Sequence, residues 1–228
     1  LQGILEIAFE LRNYLKAISG MDEFSFQTGG GAQATYINAC ITRKYFQERG
    51  ELGTRNEVIT TQFTHPCNAA TPSTAGFKVI ILPHNDGYPD LDALKATVSE
   101  RTAAIHMTNP EDTGLYNPRV DEFTKAVHDA GGLCFYDQAN ANGIMGVARA
   151  REAGFDACHF NLHKTFSSPH GCEGPASGAY GCTERLAPYL PVPVVTKVSD
   201  AYHLDNNRPK SIGKVRSYFG NLQAVLRA

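Results

Sequence analysis

Five short apolar runs, at 58–60, 78–82, 103–107, 133–136 and 157–160, alternate with stretches of helical periodicity. A strand covered on both faces reads as a continuous apolar run, and a pair of parallel strands needs a crossover that is usually a helix. The alternation therefore predicts an α/β domain with a mainly parallel sheet covered by helices on both faces. Ile4, Leu5, Ala8, Leu11, Leu15 and Ile18 recur at helical spacing, with Gly20 as the stop. Further helices are predicted at 32–48, closed by Gly50, at 90–98, and at 118–130, with Pro118 in the first turn and Gly131 past the end. The stretch 188–214 is rich in loop residues and yields no assignable element. With 228 residues, 42% of them hydrophobic, the chain can bury one substantial core, so a single main domain is expected.

Several function classes fall away on composition. The formal charge is −2, with both signs scattered, so there is neither a basic stripe for nucleic acid nor a polybasic segment for a membrane surface. No apolar stretch approaches the roughly 20 residues that span a bilayer. The expectation is a cytoplasmic protein, or one in an organelle after removal of a transit peptide. The six cysteines include no Cys-x-x-Cys pair, which predicts reduced, packed thiols and no metal site. Both ends of the chain fall within helical patterns, and the expectation is a fragment of a larger protein.

Ligands of open parallel sheets gather beyond the carboxyl ends of the strands. His65, Asn109, Asp137 and Lys164 each follow a predicted strand by one to five residues. A lysine there is usually a solvated loop residue and an aspartate a turn former or cap. Together, an acid and a lysine can hold the two ends of pyridoxal phosphate: the amine condenses with the aldehyde, and the carboxylate keeps the pyridine nitrogen protonated. The setting His163-Lys164-Thr165, between Phe160 and Phe166, favours that reading and adds His163 to the candidate cofactor-binding residues. His65 is a candidate to stack on the pyridine ring, or an ordinary loop histidine. Ala139 is small enough to support the opposite ring face. Asn109 is either a donor to the phenolate oxygen or part of an Asn-Pro turn. The turn Gly29-Gly30-Gly31, leading into a helix with Ala32 and Gln33, is either a phosphate cradle or a flexible turn.

The stretches Asp137-Gln138-Ala139-Asn140, His159-Phe160-Asn161-Leu162-His163-Lys164-Thr165-Phe166, Pro169-His170-Gly171, Leu186-Ala187-Pro188-Tyr189-Leu190-Pro191-Val192-Pro193 and Arg208-Pro209-Lys210-Ser211-Ile212-Gly213 extend this reading. Their sequence resembles the pyridoxal-phosphate-dependent glycine decarboxylases, the P-proteins of the glycine cleavage system, and is most similar to the second subunit of split forms. The resemblance runs over essentially the whole chain. It implies the large domain of the aspartate-aminotransferase-like fold, fold type I, over residues 1–228, without the small C-terminal domain and an N-terminal portion. It also implies that glycine displaces Lys164 from the cofactor and loses carbon dioxide, and that the aminomethyl group passes to the lipoyl arm of H-protein. The implied protein partner is a first P-protein subunit or a homodimer mate. Where the family has Ala-Gly-Ala-His-Gly-Glu, this chain has Gly30-Gly31-Ala32-Gln33-Ala34-Thr35; four glycines become Gly171-Cys172-Glu173-Gly174; Asn-Pro-Asn becomes Asn109-Pro110-Glu111; and Gln138 is a further change. Two other readings stand beside this one: another fold-type-I enzyme of the cysteine desulfurase or amino-acid lyase kind, and a cofactor-binding paralogue with a mainly structural role.

Overall fold

The computed structural model describes residues 1–170, 176–217 and 219–228. The chain opens with α1 (Gln2–Ser19), which buries Leu5, Ala8, Leu11 and Leu15 and ends at Gly20. Gly20 has φ 76°, and its amide donates to the Lys16 carbonyl. That left-handed turn is open to glycine at little steric cost. There follow β1 (Glu23–Thr28), α2 (Gly31–Glu48), β2 (Glu57–Thr61), α3 (Cys67–Thr74) and β3 (Lys78–Leu82). A small ribbon of β4 (His84–Asn85) and β5 (Tyr88–Pro89) leads to α4 (Leu91–Thr97), β6 (Thr102–Thr108), α5 (Val120–Asp129), β7 (Leu133–Gln138) and β8 (Ala157–Asn161). The last elements are β9 (Gly178–Cys182), the hairpin β10 (Val194–Val198) and β11 (Ala201–Asp205), and α6 (Leu222–Arg227).

Seven strands form one sheet in the order β1-β9-β8-β7-β6-β2-β3. The five predicted runs are β2, β3, β6, β7 and β8, and they pair parallel to one another. Their carboxyl ends consequently share one rim. β9 runs antiparallel to both of its neighbours.

Two hydrophobic cores flank the sheet, and the pleat sorts residues between them. On β7, Cys134 and Tyr136 join the core of α1, α4 and α5, while Leu133 and Phe135 join the core of α2 with Ile37, Ile41 and Phe46. This is period-two alternation in a strand buried on both sides. Complete burial of Leu15, Ile37 or Ile59 contributes about 1.5–3 kcal/mol each.

Three features depart from the sequence reading. The supposed loop stretch 188–214 contains the β10–β11 hairpin. α3 forms despite an internal Pro72, which breaks its helical signature. β9 was hidden by Gly178 and Gly181, poor strand formers that packing requires here. A Cβ on Gly181 would lie 2.3 Å from the Phe24 ring, and one on Gly178 would lie 2.6 Å from the Thr28 hydroxyl.

Among the described residues no helix is long and apolar enough to cross a membrane. The five described cysteines are free, four of them buried. His128, Cys134 and Asp156 bring possible metal ligands within 4.8 Å of one another, a grouping the sequence did not suggest. The Asp156 carboxylate is already engaged there by His128 Nε2 at 2.9 Å, the Cys134 amide at 2.8 Å and Arg185 Nη2 at 2.7 Å. With a guanidinium on one oxygen and an amide on the other, the cluster is built as an ion-pair network.

Candidate active site

At the carboxyl rim of the sheet lies a cavity of about 290 Å³, lined by His65, Asp137, Ala139 and Lys164 together with Thr108, Pro110, Glu111 and the loop after Ala139. Four of the residues selected from sequence therefore meet in one space. They come from the carboxyl end of β7 and the segments after β2, β7 and β8, as the shared strand direction dictates.

Asp137 is the penultimate residue of β7 and is 3% exposed. Its Oδ2 accepts a hydrogen bond from Asn68 Nδ2 on α3 at 2.8 Å, and its Oδ1 accepts the Ala139 amide at 3.0 Å. His159, its register partner on β8, brings Nε2 to 3.3 Å from Oδ1. Burial holds the His159 pKa below the usual histidine range, against the pull of Asp137 in the other direction. Asn68 also donates to Thr64 Oγ1 at 2.7 Å, and that hydroxyl meets Thr108 Oγ1 at 2.7 Å. A buried carboxylate with such donors is fixed in direction before any ligand arrives. Asn68 and His159 escaped the sequence reading. His159 could have been found by aligning β7 with β8, whereas nothing in the sequence distinguishes Asn68. We predict that Asn68→Ala, which leaves Oδ2 without its amide donor, costs about 1–3 kcal/mol of stability, measurable by denaturant unfolding.

Lys164 lies beyond the end of β8, where its amide donates to the Asn161 carbonyl at 3.1 Å, and its side chain is exposed. His65 is exposed at the cavity, and its Nδ1 accepts the Cys67 amide at 3.1 Å, which leaves the proton of the neutral ring on Nε2.

The remaining candidates lie outside the cavity lining. α2 starts at Gly31 with no side-chain cap, so its first amides are available to an anion. A Cβ on Gly31 would come within 3.0 Å of His159 Nε2 and 3.2 Å of Asn161 Nδ2, so glycine brings the helix end close to the floor beneath Asp137. Ala32 belongs to the same first turn. The Gln33 side chain is committed elsewhere: Oε1 accepts the Gly29 amide at 2.6 Å and Nε2 donates to the Val215 carbonyl at 3.3 Å. His163 Nδ1 lies 2.9 Å from the Ser177 carbonyl, and its Cε1 would be 3.9 Å from a Cβ on Gly30, which puts the ring beside the glycine turn. Asn109 is buried, with Oδ1 accepting the Asn117 amide at 2.8 Å and Nδ2 donating to the Asn117 carbonyl at 3.2 Å. Its side chain braces its own loop, whose Pro110 and Glu111 reach the cavity instead. Cys172 and Glu173 lie outside the described residues.

Residues 12–179 match the model of the class-V aminotransferases. The chain belongs to the class-V aminotransferase family. A class-V aminotransferase of this kind uses pyridoxal phosphate, and its sheet and helices are those of fold type I. This class-V chain is 47% identical over 230 residues to the probable glycine dehydrogenase (decarboxylating) subunit 2 of Pyrococcus abyssi, covering 100% of its own length and 46% of the relative's. It is 45% identical over 228 residues to the protein of the same description from Thermus thermophilus, of which it covers 48%. The chain thus spans about half the length of these curated relatives. Among solved structures, an inhibitor-bound glycine decarboxylase (P-protein) superposes over 99% of this chain and 52% of its own, with a TM-score of 0.77 at 21% identity. A cysteine desulfurase from Thermococcus onnurineus superposes over 98% of this chain and 54% of its own, with a TM-score of 0.69 at 18% identity.

The class-V site suits the cofactor on the chemistry of its own groups. A lysine amine and a directed, buried carboxylate face one cavity, an imidazole stands at that cavity, and an uncapped helix start lies near His159 below.

Proposed function

We propose that residues 1–228 form the cofactor-binding large domain of a glycine decarboxylase, acting with a second P-protein chain on glycine and on the lipoyl arm of H-protein. The observation that carries the reading is the meeting of Lys164 and the directed carboxylate of Asp137 in one cavity. It occurs in a chain 47% identical to a probable glycine dehydrogenase (decarboxylating) subunit 2. The lack of a spanning helix among the described residues and the small net charge support a cytoplasmic setting, or the mitochondrial matrix in a eukaryote.

When bound, pyridoxal phosphate supplies an electron sink for the pair released from the substrate's α-carbon. Lys164, on the cavity wall, would hold the cofactor through its aldehyde, and its amine would be the group placed to take up or give a proton there. Asp137, held in place by Asn68 and the Ala139 amide, would serve as the acceptor for the ring nitrogen. His65 offers a flat face for the ring, and the first amides of α2 offer donors to the phosphate.

A cysteine desulfurase would need a thiol at the substrate. Among the described residues no cysteine lines the cavity, and burial pushes the thiol of Cys67, two residues from His65, up to about 11. The visible absorption spectrum of the complete protein tests the proposal. A cofactor band that glycine perturbs, while alanine and cysteine do not, is expected. A band indifferent to glycine would refute the choice of substrate.

A further inference from the structure

A second buried pair reaches the same cavity through Glu111 and takes no part in the lysine and aspartate machinery. Glu111, in the segment after β6, accepts a hydrogen bond at Oε2 from Nε2 of His84 on β4. Their side chains are only 2% and 6% exposed. Glu111 Oε1 and His84 Nδ1 have no other hydrogen-bond partner among the described residues, so each polar group depends on the other for compensation.

The pair also joins separate segments of the chain. The His84 ring packs against Phe63 with centroids 4.6 Å apart, and the Phe63 carbonyl accepts the Asp112 amide at 3.0 Å. Phe63 is two residues before His65, whose ring is tied back to the Cys67 amide. The segments after β2, β3 and β6 are therefore knotted together at His84 and Glu111, and two of them supply His65, Pro110, Glu111 and Asp112 to the cavity wall. Sequence points the same way. Where the resemblance gives a neutral asparagine this chain has Glu111, and a buried carboxylate in a cavity wall needs a donor to compensate it.

We propose that His84 and Glu111 form a clamp that positions His65 against the cofactor ring and keeps the Glu111 carboxylate engaged, away from the carboxylate of an incoming amino acid. This rests on the reading of the cavity as a pyridoxal phosphate site. Both are positioning residues. Removing His84 would release the Phe63–His65 segment and leave a buried, unpaired carboxylate beside the substrate.

The test uses the complete protein with its partner chain, loaded with pyridoxal phosphate, and three variants: His84→Leu, Glu111→Gln and the double variant His84→Leu/Glu111→Leu. The readouts are visible circular dichroism of the bound cofactor, spectral titration with glycine, and thermal unfolding. For His84→Leu, the ellipticity should change and glycine affinity should fall about tenfold, a change of about 1.4 kcal/mol in binding. Glu111→Gln keeps an acceptor for His84 and should leave the ellipticity as in the wild type. The double variant removes the buried charge, so it tolerates the loss of the clamp in folding. It should recover thermal stability while keeping the altered ellipticity, and it carries the test if His84→Leu fails to fold. A change in melting temperature alone, with ellipticity and glycine titration unmoved, would mean that the pair only stabilises the fold. Absence of any cofactor band in the wild type would overturn the cofactor reading itself, and this inference with it.

Discussion

Borohydride reduction of the cofactor-loaded protein is expected to fix the label on Lys164 and on no other lysine. Other lysines lie outside the cavity lining. Lys210 pairs with Glu48 at 3.2 Å, and Lys197 stands over the Tyr202 ring at 5.3 Å, on the hairpin. Only Lys164, among the described residues, places a lysine on the wall shared with Asp137. Lys164→Ala should still take up cofactor non-covalently through the ring and phosphate contacts. Its turnover should fall on the order of 10³-fold or more, because anchoring and proton transfer are lost together. Peptide mapping after reduction decides the first point and single-turnover kinetics the second. Label on Lys197 or Lys214 would refute the assignment.

Asp137→Asn should leave the site shaped as it is and remove its charge. The neutral amide keeps one acceptor oxygen where the carboxylate has two, so the Ala139 amide and Asn68 Nδ2 are both served only if the Asn68 amide turns over to accept, and a stability loss of about 1–3 kcal/mol is expected. A charge-assisted hydrogen bond to the ring nitrogen would become a neutral one, roughly half as strong. Each pKa unit lost by the protonated ring corresponds to about 1.4 kcal/mol. With the electron sink weakened, glycine-dependent exchange of carbon dioxide should drop on the order of 10²–10³-fold while the cofactor remains bound. Exchange at the wild-type rate would show that the carboxylate does not meet the ring nitrogen.

The parallel part of the sheet was legible because its strands are short, mainly apolar runs, and β2, β6, β7 and β8 are buried on both faces, while the edge strand β3 leaves Lys78 and Ile81 exposed. Parallel direction then placed His65, Asp137 and Lys164 at one rim without any knowledge of side-chain contacts. What escaped was set by neighbours distant in sequence. β9 carries glycines that only the Phe24 ring and the Thr28 hydroxyl explain. Asn68 matters through a single hydrogen bond to a residue on another element. Asn109 was legible as a turn residue, and the structure uses its amide within that turn. At Gln33 the sequence shows the opening of a helix but not that Gly29 and Val215 engage the side chain.

The antiparallel strand β9 has a consequence for how the protein is made. Among the described strands β1 is hydrogen-bonded to β9 alone, with Glu23 opposite Cys182. During synthesis the β1 segment therefore waits, unpaired, until residues 178–182 have left the ribosome. The intervening strands can assemble earlier through their own crossovers. Closing so distant a pair is an entropically slow event. A chain arrested short of β9 would expose the edge of β8 and strand β1 with Phe24 and Phe26, a pair of surfaces prone to aggregation. Chaperone demand should accordingly be concentrated in the interval before β9 emerges.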